Sequence, residues 1–302
     1  DAAAFLDYAL ISNMSILKVG KAKYSMIVDD NGGIVDDLIT YRFADDHFMV
    51  VPNAANTNAI WAAFEARKGD FDVELRNDSE NIALVAVQGP KALDALKPLL
   101  DDDPSALEYY SGKWMTLRSD EGNVDVFVAR TGYTGEDGFE LFCANEDAAN
   151  VWDAVIDHGT ACGLAARDSL RLEASMPLYG QELTADITPV EAGMGRAFAK
   201  KEADFVGKRA LTGREPSVVI AGLVSEQRRA ARAGSEVFLA GSDDKIGVVT
   251  SGQPSPTLGH PVALAHLDPA HAEPGTEVEI DIRGRRYPFT IATTPFYTRK
   301  DA

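Results

Sequence analysis

The sequence has few of the residues that metalloenzymes, nucleophilic hydrolases and disulfide-stapled proteins rely on. It carries two cysteines in 302 residues, Cys143 and Cys162. That is too few for a disulfide framework or a four-thiolate zinc site, so both read as small packing residues. The five histidines (His47, His158, His260, His266 and His271) show no HxxxH or HxH spacing. No GxSxG nucleophile motif occurs either, so metal-dependent and serine-hydrolase readings have nothing specific behind them. No run of eighteen apolar residues is present, and no membrane-spanning helix is expected. The opening "DAAAFLDYAL" has no basic n-region and no cleavage signal, which makes the cytoplasm the expected compartment. It also lacks an initiator Met, so the chain reads as processed or truncated there. Cations are scarce: 29 Lys and Arg stand against 47 Asp and Glu, a net charge of −18. Such a field repels phosphate backbones and argues against a nucleic-acid partner. A locally basic pocket for an anionic ligand remains compatible with it.

What is present is an ordinary globular composition, 45% apolar and 25% charged, at a length that predicts two or three domains. Residues 1–10 predict a short amphipathic helix. "AKYSMIV", "GIVDDLITYRF" and "HFMVVP" read as an antiparallel meander separated by "DDNG" and "ADD" turns. Residues 54–68 return to helical period. "FDVELRN" and "IALVAVQG" follow as strands, and "PKALDALKPLL" as a helix opened by Pro90. A similar order recurs: "KWMTLRS" and "VDVFVART" as a hairpin, "FELFCAN" as a strand, then "DAANVWDAVIDHG" and "GLAARDSLRLEAS" as helices. Residues 176–200 are irregular. From about 216 six short β runs predict a small barrel or sandwich. The expected fold class is therefore α+β: two ferredoxin-like α+β lobes, at 1–100 and 101–211, and a C-terminal β-barrel at 216–302. The boundary falls in "TGREPS", 212–217.

Three stretches carry candidate chemistry. In "GGIVDDLITY", residues 32–41, Asp36 and Asp37 sit in an apolar strand and face opposite sides. Aspartate is disfavoured there, and a buried carboxylate needs donors. Either one of them does acid–base or ion-pairing work, or an edge strand lets both reach water. A Mg²⁺ cage is a poor fit, because adjacent strand residues diverge. In "RTGYTGEDGFEL", residues 130–141, glycines allow a tight backbone, but the spacing is neither a Walker loop nor GxGxxG. Glu140 stands between Phe139 and Leu141. It can accept a parallel pair of N–H donors from an amino-heterocycle, or pair with an arginine. In "AARDSLRLEA", residues 165–174, Arg167 and Arg171 lie one helical turn apart, which implies an anionic partner: Glu140, Asp168, Glu173 or a ligand. In "PLYGQEL", Tyr179 is an aromatic on an irregular segment, available for stacking or for packing.

The ordered set "GGIVDDLITY", "VVPNA", "VQGP", "RTGYTGEDGFE", "GLAARDSLRLEA", "PLYGQEL", "VTSGQPSPTLG" and "TPFYTRK" resembles the glycine cleavage T-protein family of aminomethyltransferases across almost the whole chain. The resemblance implies three domains in a cloverleaf around a central tetrahydrofolate channel. It also implies transfer of the one-carbon unit of an aminomethyl group, carried on the lipoyl arm of an H-protein, to tetrahydrofolate. The products would be ammonia and 5,10-methylene-tetrahydrofolate. Its catalytic aspartate matches Asp37, which leaves Asp36 structural. Its pterin-binding glutamate matches Glu140 and its pocket arginine Arg167. Asn53, Tyr24 and Tyr179 match pocket positions, and Arg232 in "ARAG" matches an arginine near the folate tail. Family members begin with a further leading stretch that contains a "DVSHM"-like segment, so the first lobe is expected to lack its N-terminal part. Two other readings keep the folate and change the outcome: another folate-dependent one-carbon transferase or demethylase, or a folate-binding protein without turnover. The "KGCYxGQE"-type motif of the non-enzymatic branch is replaced here by "MPLYGQEL".

Overall fold

The computed structural model describes residues 1–299, so Lys300, the last residue of the "TPFYTRK" motif, lies outside the described residues. The chain divides into two compact units. The first comprises residues 1–25 and 38–163, and the second residues 26–37 and those from 164 onward.

In the first unit, helix α1 (Ala2–Ala9) lies beside α2 (Thr57–Lys68). Phe5 meets Phe64 edge-on with ring centroids 5.6 Å apart, and the Arg67 guanidinium donates to the Ala9 carbonyl at 2.7 Å. The meander forms as the sequence predicts, with β1 (Ala22–Val28), β2 (Ile34–Arg42) and β3 (Phe48–Pro52) in that spatial order. Both β1 and β2 run across the division between the units. A second, antiparallel sheet has the order β4-β7-β6-β5. Its strands are β4 (Ile82–Gln88), β5 (Gly112–Leu117), β6 (Val124–Ala129) and β7 (Gly138–Ala144). One face packs Val85, Val126, Val128, Phe139 and Leu141 with Leu96 of α3 (Ala92–Leu96) and Val151 of α4 (Ala148–Ile156). On its other face Phe127, Ala129 and Phe142 meet Tyr41, Ile39 and Met49 of the meander. Burial of these apolar side chains, worth about 1.5–3 kcal/mol each, is the main force holding the layers.

Two local expectations fail here. "FDVELRN", residues 71–77, pairs with no strand among the described residues. Its period-2 pattern is satisfied differently: the Phe71 ring packs against Phe5 and Tyr8 of α1, at 5.8 Å from each. The helix expected from Pro90 is also short. It spans five residues, starts after Pro90 and ends just before Pro98, which lacks the N–H a continuing helix needs; the chain then reaches a bridge between Leu100 and Leu117.

In the second unit, helix α5 (Leu164–Glu173) is followed by the irregular stretch to residue 200, the short α6 (Lys208–Leu211) and six strands. These are β8 (Val219–Val224), β9 (Glu236–Leu239), β10 (Lys245–Pro254), β11 (Pro261–Leu267), β12 (Glu277–Asp281) and β13 (Arg286–Ala292). They close into a barrel in the order β10-β11-β8-β13-β12-β9. Closure leaves no unpaired edge. Leu223, Val237, Ala265, Val278, Ile280 and Ile291 fill the interior, and Leu172 of α5 packs outside on Val262 and Leu264.

Candidate functional site

The start of β2 is fixed before its two aspartates are reached. Asp29 builds the preceding turn. Its carboxylate accepts the backbone N–H groups of Asn31 at 2.8 Å and Gly33 at 2.9 Å, a local capping use of Asp that displaces regular pairing. Gly33 has no alternative at its position, since a Cβ there would lie 2.0 Å from the Ala185 carbonyl oxygen. The Ile34 N–H donates to the Ile187 carbonyl at 2.9 Å, and the Tyr179 hydroxyl donates to the Ile34 carbonyl at 3.3 Å. The irregular "PLYGQELTADI" stretch is thus a cradle for the β2 entry.

Burial then alternates along β2. Asp36 is completely buried, and Asp37, on the other face, is half-buried. Burial raises the Tyr179 phenol above its usual value, and the negative charges of Asp36 and Asp37 add to the effect. Tyr179 is therefore a neutral donor within electrostatic reach of both aspartates.

Glu140 stands in the first unit, on a central strand, directly opposite Ala86 of β4 and Ala129 of β6. Small neighbours on both sides leave room around its half-buried carboxylate. Its Oε2 accepts a hydrogen bond from the Thr131 hydroxyl and a longer one, at 3.4 Å, from the Tyr41 phenol. Tyr41 also lies 2.9 Å from Thr131 Oγ1, with its ring edge-on to Phe127 and Phe142. Burial, reinforced by the Glu140 charge, pushes the Tyr41 phenol far up, so it stays protonated. Glu140 Oε1 accepts no hydrogen bond among the described residues. The arginine pairing open to Glu140 in the sequence goes elsewhere: Arg130 makes a two-pronged pair with Asp137, at 2.9 and 2.6 Å.

The remaining expected residues are divided between the units. Tyr24 on β1 and Asn53 just after β3 are half-buried in the first. In the second, Arg167 on α5 is exposed, whereas Arg171 on the same helix is 1% exposed. Arg171 spends its charge internally, on Asp168 at 2.8 Å, on Glu182 at 2.9 Å and on the Ser251 hydroxyl at 2.7 Å. Of the anions open to this helix, Asp168 is a partner of Arg171. Glu173 instead accepts the hydroxyls of Ser255 and Thr257. Arg232 is exposed at the barrel, where its guanidinium donates to the Gly252 carbonyl at 2.8 Å. Sequence reasoning missed Tyr41 and Thr131 as partners of Glu140. The available signal was position: Tyr41 follows Asp37 by four residues on the same side of one strand, and Thr131 opens the glycine loop. Among the described residues, no cluster of His, Cys, Asp or Glu has the arrangement of a metal site.

Two family models match the chain. "GCVT N-terminal domain" covers residues 1–202, and "Glycine cleavage T-protein C-terminal barrel domain" covers residues 219–298. Aminomethyltransferase of Corynebacterium aurimucosum is 57% identical over 99% of this chain and 83% of its own length. That of Streptomyces coelicolor is 48% identical over 99% and 82%, and that of Bacillus subtilis 42% identical over 99% and 83%. The crystal structure of the glycine cleavage system aminomethyltransferase T from Bartonella henselae matches with a TM-score of 0.87 at 35% identity, over 98% of this chain and 81% of that one. With one model covering well over half of its residues and these relatives spanning nearly all of it, the chain belongs to the glycine cleavage T-protein family.

Proposed function

We propose that this chain transfers the one-carbon unit of an aminomethyl group from a lipoylated H-protein to tetrahydrofolate, with Asp37 as the catalytic carboxylate. Tetrahydrofolate supplies the two nitrogens that take up the carbon. The carbon leaves one sulfur and one nitrogen and gains two nitrogens. Two protons leave the folate nitrogens; one goes to the lipoyl thiol and the other to the departing ammonia. A carboxylate near the reacting nitrogens stabilises the positive charge that develops and relays a proton as the amine departs. Asp37 suits this role because it is half-buried on a strand whose entry is fixed by hydrogen bonds at Ile34. Asp36, completely buried, has the structural role.

Glu140 fits the pterin. An amino-heterocycle offers two parallel N–H donors, and this carboxylate has one oxygen free of hydrogen bonds among the described residues and alanines on both flanks. Arg167 is the proposed pocket arginine, and Arg232, an exposed cation on an acidic chain, suits the carboxylates of the folate tail. Tyr24, Asn53 and Tyr179 are further proposed folate-binding residues. Cys143 and Cys162 are free thiols, in keeping with a reducing, cytoplasmic compartment. No helix among the described residues is long and apolar enough to cross a membrane.

The observation that carries this reading is the acidic side chain at position 37, half-buried rather than solvent-facing, in a chain of this family. The test is folate-dependent ammonia release from aminomethylated H-protein. Release only when both folate and that H-protein are present supports the transfer; folate binding without release favours a binding protein without turnover.

A further inference from the structure

The "VQGP" motif has no role in the reaction as described, yet its glutamine is placed to control Glu140. The Gln88 carboxamide nitrogen donates to the carbonyl oxygens of Thr131, at 3.1 Å, and Phe139, at 3.0 Å. These two carbonyls are not arbitrary. Thr131 carries the hydroxyl bonded to Glu140, and the Phe139 carbonyl belongs to the peptide that joins Phe139 to Glu140. One side chain therefore ties together the base of the carboxylate and the base of its hydroxyl partner. The amide orientation is forced: turned over, it would set its oxygen against two carbonyl oxygens.

Two further observations support a dedicated seat. A Cβ on Gly132 would lie 2.0 Å from Gln88 Oε1, and one on Gly138 would lie 2.1 Å from it. Neither glycine has a left-handed φ, so the carboxamide itself is the obstacle to a side chain at either position. Gln88 Oε1 is buried and unpartnered. Leaving such an acceptor unsatisfied is unfavourable, so the seat is not explained by the needs of that oxygen.

We infer that Gln88 is a positioning residue for the pterin-binding carboxylate, holding Glu140 and Thr131 in one geometry across the glycine loop. This rests on the reading of Glu140 as the pterin ligand. The test uses the full chain, 5,6,7,8-tetrahydrofolate in calorimetry, and steady-state ammonia release. Gln88→Met keeps length and bulk but removes both donors. It is expected to raise the folate Kd about tenfold, as loss of two modest hydrogen bonds permits, with kcat at saturating folate within about twofold of the parent. Gly138→Ala, which pushes the carboxamide from its seat, is expected to do the same, and it answers the question if Gln88→Met fails to fold. Glu140→Gln is measured beside them. Combined with Glu140→Gln, Gln88→Met should add little further loss, because the two act as a unit. If Glu140→Gln leaves affinity unchanged, the pterin reading falls and this inference with it. If Glu140→Gln weakens binding while Gln88→Met and Gly138→Ala lower only thermal stability or the active fraction, Gln88 is a packing residue and the inference alone is overturned.

Discussion

Glu191 shows how this chain stabilises a buried carboxylate. It is 2% exposed. Burial alone would raise its pKa, but hydrogen bonds from Ser217, from the Thr188 backbone and hydroxyl, and from Arg214 outweigh that and lower it to about 2. A folded pKa below the unfolded one means stability that is present above the unfolded value and lost as pH falls through the folded one. Glu191→Gln should therefore reduce stability at pH 7 by on the order of 3 kcal/mol. The gap between variant and parent should close as pH falls from about 4.5 toward about 2; denaturant unfolding at pH 7 and at acid pH checks it. Glu140 differs in kind. Its partners are two hydroxyls on one oxygen, without an arginine, and such a carboxylate retains acceptor capacity for a ligand.

At the scale of elements, the β2 entry matters most. The strand is unusual because its polar residues, Asp36 and Asp37, follow a turn fixed by Asp29 and a glycine pressed against the Ala185 carbonyl. Gly33→Ala should force that contact apart, with a loss of stability of roughly 2 kcal/mol or more, typical of overpacking against backbone. It should lower turnover more than folate affinity, because Asp37 lies four residues on; thermal unfolding and kinetics on one preparation test both. This element was partly legible in the sequence. The strand and the opposed faces of its aspartates followed from a period of two. The cradle did not, because residues 176–200 make irregular backbone contacts that have no periodic signature. The same limit explains Phe71–Asn77, whose alternation is real but packs against α1 instead of pairing in a sheet. Arg167 and Arg171 share a helical spacing, and only burial separates the outward cation from the one committed to Glu182.

For the whole molecule, the α+β order and six short C-terminal strands could be read from strand lengths and turns; that pattern fits a barrel or a sandwich, and the resemblance pointed to the barrel that forms. The interleaving of the two units could not, because nothing local marks residues 26–37 as part of the second. A consequence follows for fragments. A chain of residues 164–302 lacks the β2 entry that accepts the Tyr179 hydroxyl and donates to the Ile187 carbonyl. Such a fragment should keep barrel-type circular dichroism but be cut by protease within 176–200, where the intact chain resists. Equal resistance in both would show that the cradle does not depend on that hairpin.

The central claim is chemical and concerns Asp37. In single-turnover ammonia release with saturating tetrahydrofolate and aminomethylated H-protein, Asp37→Asn should bind folate within about tenfold of the parent and release ammonia about a hundredfold or more slower, the scale of a lost general acid–base group. A rate within a few-fold of the parent, with folate bound normally, would contradict it.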